Sequence, residues 1–502
     1  MYIVPDTTIK FLNNVPLDNS YKHTIYFDDK TKQQTYFNTK IKYTLLDCTY
    51  QKPNNRIRVA KKSDDLYDCN YLMFQNKSFG NKWFYAFVTE IEYVNNETSY
   101  VSFEIDILQT WHFDYEIKPS FVEREHTNID TIGYNLVPEN LELGDYTIRS
   151  FESTQRFGQY KIVIACTFDK TFADAVGGYY NGIYSGLELN VFDTPEEANT
   201  FILDATNRSL SDGIVSVFMM PADFIGEKGT LNVKTYDYEA PMNVTDIDGF
   251  EPNNNKLFTY PYNFLTVSDL NGNYATFNYE YFADNKPMFS LAGDMSCSPQ
   301  VVLTPKDYKG INANYNEKMV MGSFPTCAFT NDAFKAWLAQ NGATLATSAV
   351  GSSIALLGGM ATGNVVAMGG GALGIAGTLS KVYHASVMPP QAGGTANTSV
   401  LSAMSIKDFA FMPMTIRYEF AKIIDGYFDV YGYATHKIKV PQRNSRRHWN
   451  YIKTIDVCLT GSVPADVMKN LRKIYDSGVT FWQNGNNVGN YGLAKENSLR
   501  AW

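Results

Sequence analysis

The chain has 502 residues, 44% of them hydrophobic and 15% aromatic, and a formal net charge of −9. A length of this order carries about three domains with cores of their own, and the 35 Tyr and 32 Phe favour strands over helices. An acidic chain is not a general nucleic-acid binder, because phosphate contact needs Lys and Arg in excess; a passage for DNA, by contrast, should repel it.

The stretch from Met1 to Asp6 has neither a basic region nor a long apolar run, which predicts no signal peptide. Six cysteines, Cys48, Cys69, Cys166, Cys297, Cys327 and Cys458, lie far apart without a CxxC pair. They predict buried thiols in a protein made in a reducing cytoplasm, with no disulfide framework and no zinc site. Residues 1–145 are predicted to form an all-β domain. Residues 82–93 (KWFYAFVTEIEY) are apolar on both faces in their first half. Residues 99–109 (SYVSFEIDILQ) alternate, with Val101, Phe103, Ile105 and Ile107 inward and Ser102, Glu104 and Asp106 outward. Asn95 and Asn96 supply turn chemistry between the two runs, which therefore read as a hairpin.

Residues 146–335 read as a mixed α/β region. Residues 161–167 (KIVIACT) have the continuous apolar character of a buried strand. Thr194 is placed to cap a helix, with Pro195 at its first position and Glu196 and Glu197 in the first turn, where the helix dipole favours them. That helix is expected to run to about Arg208, and the strand-like IVSVFMMP follows from Ile214. Turns rich in Gly, Asn and Pro over residues 249–255 divide the region. Thr330 and Asn331 then cap a short predicted helix ending near Asn341.

Residues 336–380 hold no Asp, Glu, Lys or Arg, and their roughly 45 positions are more than twice what a membrane-crossing helix needs. One apolar cluster is Leu345, Val350, Ile354, Leu356, Leu357 and Met360; a second is Val365, Val366, Met368, Leu373, Ile375 and Leu379. Gly363 and Asn364 form a turn dipeptide between them, so the sketch is a hairpin of two short apolar arms. Gly359 to Gly363 and Gly370 to Gly374 are small-xxx-small spacings that let backbones approach closely in lipid. Six strong apolar residues per arm supply on the order of −2 to −4 kcal/mol of insertion energy, largely offset by the interleaved Gly, Ser, Thr and Asn. Neither arm is expected to insert constitutively. The composition suits a segment that is stored and released, or that inserts in several copies. A buried core hairpin fits less well, since each glycine inside a helix costs about 1 kcal/mol relative to alanine. A flexible linker would favour Ser, Pro and charge, and a resident anchor would have Lys or Arg on a flank. Asn341 and Gly342 on one side, and Pro389, Pro390, Gly393 and Gly394 on the other, are the expected hinges of an insertion spanning residues 336–400.

Residues 401–502 read as an α+β segment. Residues 409–417 predict a strand, and 418–431 a helix with Phe420, Ile423, Ile424, Tyr427 and Phe428 on its apolar side. Residues 462–475 make the best helix: Ser462 as cap, Pro464 in the first turn, Val467, Leu471 and Ile474 on one face, Gly478 beyond the end. This segment is expected to pack back on the amino-terminal domain.

Long runs rather than short motifs carry a resemblance. NKWFYAFVTEIEY, YVSFEIDILQTWHFDYE and SFVEREH toward the start, with YIKTIDVCLTG, LRKIYDSGVTFW and NNVGNYGLAKENSLR toward the end, closely resemble the tail knob, or distal tail tube, proteins of small short-tailed phages of the phi-twenty-nine type. The resemblance implies a structural protein at the distal end of the virion tail. Its fold would be mainly β with α+β parts, β-barrel-like tube domains forming a ring, plus a long apolar loop or helical hairpin. In such a family the ring is a hexamer and the apolar loop closes its lumen. The loop then leaves during genome ejection to perforate the host membrane, which assigns pore formation and membrane penetration to the two apolar clusters above. Implied partners are further copies of the chain, other tail proteins, the host cell membrane, and viral DNA passing through the lumen without specific binding.

Enzyme chemistry is scarcely represented. His23, His112, His126, His384, His436 and His448 show no HxxxH or HxH spacing for a metal, and no nucleophile elbow or phosphate loop is present. No cofactor is expected. Glu104 and Asp106 sit about 7 Å apart in strand rise, as any two outward residues do, and read as solvated rather than as a glycosidase pair. The basic run Arg443, Arg446, Arg447 and His448 beside Trp449 reads as a solvated loop or subunit contact ahead of a nucleic-acid site. Three rivals remain: a β-rich tail adhesin binding cell-wall glycan through exposed Tyr and Trp, a cell-wall hydrolase, and a pore-forming toxin.

Overall fold

The computed structural model describes residues 6–48, 50–51, 55–174, 178–180, 183–226, 234–295, 299–322, 324, 326–328 and 407–500. They form a mainly β protein in two compact units. The first comprises Met1–Glu142, Pro252–Lys256 and Lys422–Trp502; the second comprises Leu143–Glu251 and Leu257–Ala421.

A seven-stranded antiparallel sheet begins the first unit. Its order is Ile41–Cys48, Thr7–Asn13, Cys69–Gln75, Phe84–Asn95, Thr98–Ile105, Arg56–Val59 and Tyr50–Gln51. Both faces of Cys69–Gln75 are covered. Leu72 and Phe74 pack with Ile9, Phe11, Val101 and Phe103 on one side, and Tyr71 and Met73 with Phe37, Tyr85 and Phe87 on the other. Double burial explains why these strands read as unbroken apolar runs. The hairpin expected around Asn95 and Asn96 is present, with Asn95 opposite Thr98.

Its second strand stops four residues early. Asp106 is 2% exposed and turns inward to cap the short helix Ile107–Thr110, accepting from the Gln109 N–H at 3.0 Å. The outward reading of Asp106 and the strand reading of Ile107 are therefore corrected: a carboxylate serving as helix cap overrides the period-two pattern.

A second sheet interleaves both ends of the chain. The order is His23–Ile25, Val479–Trp482, Trp449–Ile455, Ser120–Glu125 and Tyr433–Lys439, with the first pair parallel. Trp449 and Trp482 lie 5.0 Å apart between ring centroids, and Tyr491 meets Trp449 edge-on. Helix Ala465–Ser477 buries Leu471 and Tyr475 beside Leu108, Tyr115, Ile452 and Val479. Ser462 does not cap it. The Ser462 N–H donates instead to the Asp114 carbonyl at 3.0 Å, continuing the pairing of Leu459–Gly461 with Tyr115–Ile117, and the helix starts after Pro464 without a side-chain cap. Gly478, at φ 94°, ends it where the sequence places the stop.

Helix Tyr418–Tyr431 forms as its spacing predicts, but its buried stripe runs through Ala421, Ile424 and Phe428, leaving Ile423 69% exposed. Adjacent helical positions point about 100° apart, so Ile423 cannot share the Ile424 face. The cysteine expectation holds for Cys69 and Cys166, whereas Cys48 is half-buried and Cys458 exposed. Cys458 sits in the connection between two strands, where its N–H bonds the Ser120 hydroxyl.

Pro252–Lys256 joins the first unit through a carboxylate cluster. The Asp425 carboxylate accepts the Asn253 and Asn254 N–H groups at 3.0 and 3.1 Å and the Asn254 amide at 2.9 Å. Asp429 accepts both asparagine side chains, at 3.0 and 2.8 Å. Lys256 Nζ lies 2.7 Å from Glu139, which also pairs with Arg124. Burial pushes the Asp425 carboxyl up to about 6, against the hydrogen bonds that favour its charge.

Among the described residues the second unit holds three larger sheets and the two-stranded pair Gly178–Tyr180 and Ile183–Ser185. Glu188–Phe192, Tyr160–Cys166, Ile214–Pro221 and Thr326–Ala328 form one, covered on one side by helix Pro195–Asn207. Thr194 caps that helix through the Glu197 N–H. Tyr146–Ile148, Ala410–Ile416, Asn263–Ser268 and Tyr274–Phe277 form another, and Thr235–Glu239, Met288–Asp294 and Gln300–Tyr308 anchor the third. A shared core of Phe218, Leu265, Phe277, Phe289, Leu303 and Phe411 lies among them.

Candidate functional site

The predicted membrane-insertion residues Leu345, Val350, Ile354, Leu356, Leu357, Met360, Val365, Val366, Met368, Leu373, Ile375 and Leu379 lie outside the described residues, as do Asn341, Gly342, Pro389, Pro390, Gly393 and Gly394. So do Thr330 and Asn331, the expected cap. What the structure supplies is the place where the chain leaves toward that segment and where it comes back, both within the second unit.

On the outgoing side, Met319–Met321 pairs with Gln300–Tyr308, Phe324 is 3% exposed within the main core, and Thr326–Ala328 pairs with Ile214–Pro221. On the returning side, Lys407 and Asp408 are both buried, and Phe409 leads into Ala410–Ile416. Lys407 joins the two sides. Its ammonium donates to the Gly322 carbonyl at 3.0 Å and stands 5.1 Å from the centre of the Phe324 ring. Burial lowers the Lys407 pKa, opposed by the negative charge of Asp269.

Asp408 fixes the neighbouring turn. Its carboxylate accepts the Thr154 N–H at 3.2 Å, the Thr154 hydroxyl, the Gln155 N–H at 3.1 Å and the Phe409 N–H at 2.7 Å. Gln155 adopts a left-handed φ of 53°, and Asp408 satisfies the donors that this turn exposes. Burial raises the Asp408 carboxyl, and the Thr154 and Ser153 hydroxyls oppose that rise. Phe157 packs on both Phe409 and Phe224, at centroid distances of 6.1 and 5.3 Å. The site is therefore a neck: a lysine, a carboxylate and four phenylalanines that hold the departing and returning strands together from inside the fold.

Sequence reasoning missed Lys407, Asp408, Gly322 and Thr154. The available signal was a lone pair of opposite charges directly before the wholly apolar FAFMPM. Charges in that position must be buried with partners.

Other candidates dissolve in the structure. Glu104 is exposed and bonded to Asn19, whereas Asp106 is buried, so they form no catalytic pair. In the basic run, Arg446 is buried and donates to the Asn497 carbonyl, His448 faces Glu496 at 3.7 Å, and Trp449 is fully buried. Only Arg447 of that run is exposed, which corrects the solvated-loop reading. Among the described residues no helix is long and apolar enough to cross a membrane, and no His, Cys, Asp and Glu cluster could hold a metal.

Residues 5–116, which include the whole seven-stranded sheet, match the family model described as the caudoviral major tail protein N-terminus, and this sets the chain in the class of tail structural proteins of tailed phages. Residues 229–496, more than half the chain, match the family model for the C-terminal domain of the Bacillus phage phi29 tail knob protein gp9. The chain belongs to that tail knob family. It is similar to tail knob protein gp9 of Bacillus phage PZA, at 27% identity over 98% of this chain and 99% of the relative. Tail knob protein gp9 of Bacillus phage phi29 is 25% identical over 98% and 99%. The solved tail knob protein gp12 of bacteriophage C1 shares the fold, with a TM-score of 0.62 and 15% identity over 98% of this chain and 100% of that one. The family is structural rather than enzymatic, and its place is the distal end of the virion tail.

Proposed function

We propose that the chain is one subunit of a hexameric tail-tip tube whose lumen is closed by residues 336–380, and that this segment is released at the cell surface to breach the host membrane for genome passage. The neck supports this reading. Lys407 ties the returning chain to Gly322 and Phe324, so departure and return are anchored side by side, which supports an excursion from one point of the core. An excursion of that kind changes its surroundings without unpairing Ala410–Ile416 or Met319–Met321. Each apolar arm is near energetic balance, and several copies inserting together convert marginal insertion into a committed one. The acidic chain suits a lumen that DNA crosses without adhering.

The test compares tail particles carrying the full chain with particles lacking residues 341–394. Assembly should persist and liposome leakage should disappear, and the isolated 336–380 peptide should itself release liposome contents. Leakage that survives the deletion, or a peptide inert toward every lipid composition, overturns the membrane role.

A further inference from the structure

The first unit contains a cavity of about 310 Å³ walled by Tyr26, Tyr115, Val440, Gln442, Arg443 and Asn444. Its volume is at the lower end of the range that small-molecule sites occupy. Arg443 sets its chemistry. Three other cations of this unit, Lys256, Arg124 and Lys439, each hold a carboxylate. No carboxylate lies within ion-pair distance of Arg443 among the described residues. Its guanidinium stands 5.5 Å from the Tyr26 ring and against the Tyr115 and Tyr475 hydroxyls, which bond each other at 2.8 Å. One amino group, Nη1, is out of solvent and has no hydrogen-bond partner. The nearest wall carboxylate, Glu116, is turned to Lys118 at 2.7 Å.

A cation withdrawn from water without a counter-charge is costly, and its field makes the adjoining space favourable to a negative group. Nearby donors complete the requirement: the Gln442 side-chain amide has no partner among the described residues, and the Asn444 amide makes only a long contact, 3.4 Å, to the Tyr26 hydroxyl. We propose that this cavity binds a compact oxyanion, a phosphate or carboxylate group, with Arg443 supplying the charge and Gln442 and Asn444 orienting its oxygens. Guanidinium and oxyanion match in planar geometry and donor spacing.

The experiment titrates sodium phosphate, and separately sodium acetate, into the purified full-length chain at constant ionic strength, with sodium chloride as the control, by calorimetry and thermal melting. Saturable binding of phosphate, of acetate or of both supports the site, and which of them binds distinguishes a phosphate group from a carboxylate. Arg443→Gln should weaken it about thirtyfold or more, as expected when one member of a buried charge pair is removed. Val440→Trp fills the mouth from a half-exposed position while keeping Arg443, and it should abolish binding even if Arg443→Gln fails to fold. An equal response to chloride, or unchanged binding in Val440→Trp, overturns the proposal.

Discussion

The Asp106 carboxylate accepts a hydrogen bond from the Tyr71 hydroxyl at 2.8 Å, in the middle of the first unit's core. Burial pushes the carboxyl of Asp106 up to about 6, only partly opposed by the bonds from Gln109 and Tyr71. The folded state therefore holds the proton more tightly than the unfolded chain does. Stability from this group is complete below the ordinary value near 4 and is lost as pH rises to about 6. Asp425 follows the same course. The first unit should thus gain resistance to urea between pH 6 and pH 4 from these two groups, and Asp106→Asn should flatten that slope. Tryptophan fluorescence reports on this unit through Trp83, Trp111, Trp449 and Trp482, which all belong to it. Asp106→Ala, which also removes the helix cap and strands the Tyr71 hydroxyl, should cost about 2–4 kcal/mol.

At the neck, Asp408→Ala leaves the buried Thr154 N–H and the neighbouring Gln155 N–H without their acceptor. A loss of about 2–4 kcal/mol in the second unit is expected. Asp408→Asn keeps an acceptor oxygen and should lose less. Hydrogen exchange of the Ala410–Ile416 amides is the measurement, and unchanged protection in Asp408→Ala would remove the carboxylate from its anchoring role.

Two glycines of one short stretch should respond in opposite directions. Gly426 lies inside helix Tyr418–Tyr431, where an added Cβ meets nothing within 4 Å. Gly426→Ala should stabilise by about 0.5–1 kcal/mol. Gly432 sits at φ 63°, and a Cβ there would stand 2.2 Å from the Glu125 carbonyl oxygen. Gly432→Ala should destabilise by roughly 2–4 kcal/mol, because backbone must move as well as twist. Thermal melts of the two variants check the pair.

Asn254→Ala removes two amide bonds to the carboxylates of Asp425 and Asp429. Two like charges are then left with fewer donors in a buried setting, and a loss of about 2–4 kcal/mol should follow. Proteolysis within Pro252–Lys256 should accelerate in step with that loss.

Much of the fold was legible because it rests on local rules. The hairpin at Asn95, the Thr194 cap and the Gly478 stop each follow from side chains within a few positions of the feature they create. The errors came where a distant partner outbid a local one. Asp106 continues an alternating strand by pattern, yet a cap and Tyr71, 35 residues away, draw it inside. Ser462 has cap chemistry, but its N–H is engaged by Asp114 across a strand pair. The neck was invisible for the same reason: Lys407 meets Gly322 across 85 positions, and no window on the sequence spans that distance.

The second sheet of the first unit places His23–Ile25 beside Val479–Trp482. On the ribosome, one of the earliest strands to emerge must wait for one of the last, while all of the second unit, which ends at Ala421, has already been made. A nascent chain halted before Val479 would carry a completed second unit and an unclosed first one, with the aromatic pocket around Trp449 open to water.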